Sequence, residues 1–202
     1  GNCAISSANK NDQVDYDQAT VIKVYFTTGT GKHSHAEYRR WMRSTLAIGD
    51  PLVFYTDSPS IASLVYEYRS HALNRTLIVP TLIQFLNHYL EFGHTFWEKQ
   101  LLADSEAALH RDWKLYVVWG EKSYWVLEVA QQNPFLTQHF VWIDVGFMRT
   151  SDVCKFCKYH PRMVQIQLDH NDHRVILFNP RPIDHPCQLQ LDTDGRIYFG
   201  KM

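Results

Sequence analysis

The sequence predicts an α/β protein in three layers, with helices over both faces of a mostly parallel central sheet. Three observations carry this. The runs Thr20–Thr28 (TVIKVYFTT), Leu52–Thr56 (LVFYT), Thr76–Val79 and His139–Asp144 (HFVWID) are β-branched or aromatic, short and apolar, as strands buried on both faces are. Between several of them, apolar residues recur at the three-and-four spacing of a helix. Strands that alternate with helices through residue 144 imply parallel pairing, because parallel neighbours need long crossover connections.

The elements follow in order. Residues 1–18 are rich in Asn, Asp, Ser, Gln and Lys and read as a flexible entry arm, with 19–202 as a single domain. The first strand runs into a glycine turn, Gly29-Thr30-Gly31. A helix around His35–Ile48 follows, with Tyr38, Trp41, Met42 and Thr45 on one face, and Gly49-Asp50-Pro51 stops it. After the second strand, Asp57-Ser58-Pro59 caps a helix to about Ser70, since Pro is tolerated in a first turn. Beyond the third strand, Thr81–Ser105 is a long helical stretch with a break at Gly93. Trp113–Trp119 is short and apolar, and its end, Trp119–Lys122, is counted among the strand exits. Gly120–Ser123 leads into a helix through Gln132, which Asn133-Pro134 ends. Past residue 150 the pattern changes: 163–168, 174–178 and 196–199 read as strands between polar turns, a strand-rich C-terminal part forming a mixed sheet edge.

Composition excludes several classes of function. Of 202 residues 45% are hydrophobic and 14% aromatic, too many for a disordered chain. Twenty Lys and Arg against 21 Asp and Glu leave a net charge of −1, which gathers no nucleic acid. No apolar run approaches the roughly 18 residues of a membrane span. Four cysteines are too few for a disulfide scaffold. The chain starts at Gly1, so an upstream segment is expected, and the compartment stays open between bacterial cytoplasm and eukaryotic secretory lumen.

In open parallel sheets ligands bind outside the carboxyl ends of the strands. Here those ends bring polar groups at Thr27-Thr28, Thr56-Asp57, Trp119–Lys122 and Asp144–Gly146. The turn Phe26–Ser34 only superficially resembles a phosphate loop: Phe26 stands at the first glycine position and His33 at the hydroxyl position, so an NTPase is rejected. Asp144 leaves a hydrophobic strand, where a carboxylate must be solvated, paired or metal-bound, and Gly146 lets backbone or ligand approach; capping of the next turn is the plainer reading. Lys122 falls in the first turn of its helix, unfavourable for a cation unless phosphate binds there; a surface lysine paired with Glu121 or another acid is the plainer reading. Cys154, Cys157 and His160 have the spacing of half a zinc site, which His185 or Cys187 could complete; free thiols or a disulfide to Cys187 are the alternatives.

Three blocks resemble the HtrL/YibB/WlaTC family of glycosyltransferase-like proteins. They are Tyr25-Phe26 with Tyr38 and Trp41; Leu52–Asp57 (LVFYTD); and Val118–Lys122, Asn133-Pro134-Phe135, Phe140–Gly146 (FVWIDVG) and Arg149. Together they span about residues 20–150, and the last block is the most specific.

The resemblance implies a GT-A-like nucleotide-sugar fold and transfer of a sugar from a nucleotide-sugar donor to a glycan or lipid-linked acceptor. Asp144 falls at the first position of the Asp-x-Asp motif that holds Mg²⁺ or Mn²⁺ in such enzymes, and Gly146 at the second, so one carboxylate is missing. The resemblance places Lys122 at the diphosphate, and Thr27 and Asp57 at the nucleoside. It also implies that the domain continues past Met202. A non-catalytic nucleotide- or glycan-binding module on the same scaffold is the alternative. So is a structural zinc site at Cys154–His160 that supports protein contacts.

Overall fold

The computed structural model describes residues 19–28, 33–110 and 112–147. They form an α/β fold around a four-stranded, all-parallel open sheet of β1 (Thr20–Tyr25), β2 (Leu52–Thr56), β3 (Thr76–Pro80) and β4 (Phe140–Trp142). The spatial order is β3-β2-β1-β4. The chain therefore builds outward from β1 in one direction and then returns to add β4 on its other side. β1 pairs in register with β2 from Val21↔Leu52 to Tyr25↔Thr56, and with β4 from Thr20↔Phe140 to Ile22↔Trp142.

Strand alternation divides the apolar residues between two cores. Val21 and Tyr25 of β1 face α1 (His35–Thr45) and α2 (Pro59–Tyr68), where Met42, Leu46, Ile61 and Val65 are buried with Leu52 and Phe54. On the opposite face, Ile22, Val24 and Phe26 pack with Val53 and Tyr55 against the later helices. These are α3 (Asn87–Phe92), α4 (His94–Ala103), α5 (Ala107–His110), α6 (Lys114–Gly120) and α7 (Lys122–Gln132), of which α4, α6 and α7 supply Trp97, Val117, Val118, Trp125 and Val129.

Local signals in the sequence explain most boundaries. Ser34 starts α1 with a reciprocal capping box: its hydroxyl accepts from the Glu37 N–H, and Glu37 Oε2 accepts from the Ser34 N–H at 2.8 Å. Ser58 caps α2, with Pro59 in its first turn. Gly93, at φ +72°, separates α3 from α4, and Asn133, left-handed at φ 39°, ends α7. At the amino end of the sheet the buried Arg69 ties the α1–β2 loop to β3. It donates to the carbonyl of Asp50 at 2.7 Å and to Thr76 Oγ1 at 2.9 Å, and also to the carbonyl of Ile48.

One expectation is corrected. Trp113–Trp119 ends in no strand exit: Lys114–Gly120 is the helix α6, with Val117 and Val118 buried. A short continuous apolar run has no period that separates a buried strand from a buried helix. The entry arm, the Gly29–Lys32 turn and the strand-rich part beyond residue 150 lie outside the described residues. No described helix is long and apolar enough to cross a membrane.

Candidate functional site

Because all four strands are parallel, their carboxyl ends share one edge. The strand order reverses between β1 and β4, and that reversal is where open α/β sheets form a ligand crevice. Adjacent strands are about 4.8 Å apart, so the exits of β2, β1 and β4 are near neighbours.

Lys122 and Asp144 meet at the β4 exit. The Lys122 ammonium lies 2.9 Å from Asp144 Oδ1. The same oxygen accepts a hydrogen bond from the Trp142 indole N–H at 3.0 Å. Trp142 also lies beneath the Lys122 Nζ, 5.3 Å from its ring centroid, a cation–π distance. Behind it, Trp142 stacks on Trp125 of α7 at an interplanar angle of 8°, and Trp125 stacks on Phe26 just past β1. The pair is thus mounted on a ladder of three rings. It stays partly wet, with side chains 33% and 59% exposed. An ion pair in such surroundings contributes only about 0–1 kcal/mol and opens readily.

Thr27 and Asp57 also come together, at the neighbouring exits of β1 and β2. The Thr27 N–H donates to Asp57 Oδ1 at 2.9 Å. Next to them, the Tyr25 hydroxyl is hydrogen-bonded to His35 Nδ1. Burial raises the Tyr25 pKa to about 12, reinforced by Tyr38, so this phenol stays protonated.

Gly146 lets α1 come close. A Cβ built there would lie 3.3 Å from Tyr38 Cε1 and 3.5 Å from Trp41 Cε3, so α1 fills the direction a side chain would take.

Two participants, Lys23 and Trp142, escaped the sequence reading, and a third, Glu121, was offered there as a partner of Lys122, which pairs instead with another acid, Asp144. Lys23, in the middle of β1, is fully buried, and its Nζ donates to the carbonyl of Ile143 at 3.3 Å, immediately before Asp144. Burial lowers its pKa to about 7; Asp144 opposes the shift and Arg69 adds to it. A lysine amid apolar neighbours in TVIKVYFTT is the signal that could have found it. Trp142 could have been found two residues before Asp144, where an extended chain puts both side chains on one face. Glu121 is buried and turned away from Lys122. One carboxylate oxygen accepts from the backbone and side-chain N–H groups of Asn87, each at 2.8 Å. The other accepts from the His88 N–H at 2.9 Å and lies 3.1 Å from His88 Nδ1. It anchors the start of α3, and nothing in the local pattern announces that long-range bond.

The donor set does not fit a divalent ion gripped by an aspartate pair. Among the described residues Asp144 is the one carboxylate at the β4 exit, its Oδ1 already carries an ammonium and an indole N–H, and the position of the second aspartate is a glycine packed against α1. Among the described residues no group of three or more His, Cys, Asp or Glu could hold a metal. The half zinc site, Cys154, Cys157 and His160, lies outside the described residues.

No family model matches the chain, nor does any curated protein or solved structure.

Proposed function

We propose that this chain is a GT-A-like glycosyltransferase that binds a nucleotide sugar at the β1/β4 crevice and passes the sugar to a hydroxyl of a glycan or lipid-linked acceptor. The observation that carries the reading is the Lys122–Asp144 pair at the exit of β4, where the strand order reverses. A weak, half-exposed pair at such a crevice is suited to exchange. A diphosphate, with more negative charge than one carboxylate, captures the ammonium and leaves Asp144 free to accept hydroxyls of the donor. Thr27 and Asp57, one and two strands away, take the nucleoside side.

The chemistry sets what the site must do. An acceptor oxygen forms a bond to the anomeric carbon as the bond from that carbon to the phosphate oxygen breaks. The electron pair leaves with the nucleoside diphosphate, and the hydroxyl proton passes to a base. Negative charge grows on the departing diphosphate, so a cation fixed beside it lowers the barrier.

Thermal unfolding with UDP, GDP, CMP and their sugar conjugates tests the reading. A ligand that binds only the folded state raises the melting temperature by linkage. One nucleotide class is expected to raise it by several degrees, its sugar conjugate to raise it further through the hydroxyls that Asp144 accepts, an extra shift lost in Asp144→Ala, and the conjugate to be consumed when acceptor is added. Binding without turnover would convert the reading into a non-catalytic binding module. No shift with any member, with or without Mn²⁺, would overturn it.

A further inference from the structure

We infer that this site holds a nucleoside diphosphate by lysine charge alone, with Lys122 in the place where a protein-held divalent cation would otherwise stand; the inference rests on the nucleotide-sugar reading above. Three observations point the same way. First, the cation position beside Asp144 is already taken. The Lys122 Nζ sits 2.9 Å from Oδ1, so before a nucleotide binds the carboxylate is neutralised by a group of the chain itself, and a dication arriving there must displace an ammonium. Second, among the described residues few other oxygen donors are left at this exit. The carbonyl of Ile143 accepts from the buried Lys23 amine at 3.3 Å, and the direction a side chain at Gly146 would take is filled by Tyr38 and Trp41. A hard dication needs six or more oxygens in total, and among the described residues this exit leaves it one carboxylate oxygen, the second of Asp144. Third, Lys122 has the mobility the task requires. It is one-third exposed and rests on the Trp142 face, which steadies an ammonium without claiming its three N–H donors. The ammonium can therefore turn from Asp144 to a phosphate oxygen with little loss.

The test uses whichever of UDP or GDP binds the wild-type chain, with inorganic pyrophosphate as a probe without a nucleoside. Dissociation constants are measured by calorimetry in EDTA, in Mg²⁺ and in Mn²⁺, for wild type, Lys122→Ala and Lys122→Arg. The expected result is an affinity that changes less than about twofold on chelation, falls about tenfold or more in Lys122→Ala, and is largely kept in Lys122→Arg, as loss of one charge-assisted contact implies. The partly exposed lysine is replaced without disturbing either core, and the melting temperature of each variant verifies that. Binding that appears only with Mn²⁺ or Mg²⁺ would overturn the inference while leaving the donor-binding reading in place. Metal-free binding that Lys122→Ala leaves unchanged would overturn it as well. An absence of binding under every condition would overturn both.

Discussion

Lys23 is costly for the fold to place. Its amine is fully buried in the central strand, and burial brings its pKa from an ordinary 10.5 to about 7. Between those values the unfolded chain binds more protons than the folded one, so this group makes stability rise with pH across that window. Below about pH 7 both states carry the proton and the burial penalty is complete; above about 10.5 both are neutral and it is gone. Lys23→Met keeps the length and removes the amine. The difference in unfolding free energy, variant minus wild type, is therefore expected to fall as pH rises from 7.5 to 9.5, by about 1.4 kcal/mol per unit at most. Urea unfolding of both chains at three pH values measures it, and a difference flat with pH would mean that the buried amine titrates like an exposed one. At this scale the sequence was legible where a residue's neighbours are local. Lys122 and Asp144 could be selected by their places at a helix start and a strand exit, but their pairing across 22 residues could not be read from either place. Gly146 illustrates the reverse: the glycine was noticed, but whether its missing side chain makes room for ligand or for Tyr38 depends on how α1 packs.

At the scale of elements, the joint between α6 and α7 connects the fold to the site. Glu121 sits in that joint and accepts four N–H···O contacts from Asn87 and His88, while the next residue, Lys122, turns outward to Asp144. One carboxylate thus fixes both the start of α3 and the place from which the ammonium reaches out. Glu121→Ala would take one shared carboxylate from several part-buried donors at once, and the expected loss of stability is about 3 kcal/mol. Equilibrium urea unfolding reads that loss. Amide exchange adds a local signature, with the Asn87 and His88 N–H groups expected to lose protection ahead of β1 and β2. A loss below about 1 kcal/mol would mean that water replaces the carboxylate without penalty. The strands β1 to β4 were readable because burial on both faces makes a continuous apolar run, and α1, α2 and α7 because caps or helix breakers mark an end. The helix α6 was not, since Leu115–Trp119 (LYVVW) is apolar on every side and carries no periodic signal.

Over the whole molecule, the order β3-β2-β1-β4 makes the two edges of the sheet do different work. The amino edge is closed by structural bonds: Arg69 gathers the carbonyls of Ile48 and Asp50, and Thr20 Oγ1 meets Thr137 Oγ1 at 2.6 Å. The carboxyl edge carries the half-exposed groups, Thr27, Asp57, Lys122 and Asp144. The parallel sheet and its exits were legible in the alternation of strands and helices. The reversal between β1 and β4 was not, because strand order is set by which edge β4 joins, and no local pattern encodes that choice. The division predicts where a bound ligand will be felt. With a saturating nucleotide from the melting panel, slowed hydrogen exchange is expected at Thr27-Thr28, Asp57, Glu121–Tyr124 and Ile143–Gly146. The amino-edge amides of Val21, Leu52 and Ala72 should exchange at unchanged rates, because a ligand protects by direct cover and by suppressing local opening around its own contacts. Peptide-resolved exchange, with and without the nucleotide, measures both edges in one experiment. Protection confined to the amino edge would move the site away from the strand exits, and with it the roles assigned to Lys122 and Asp144.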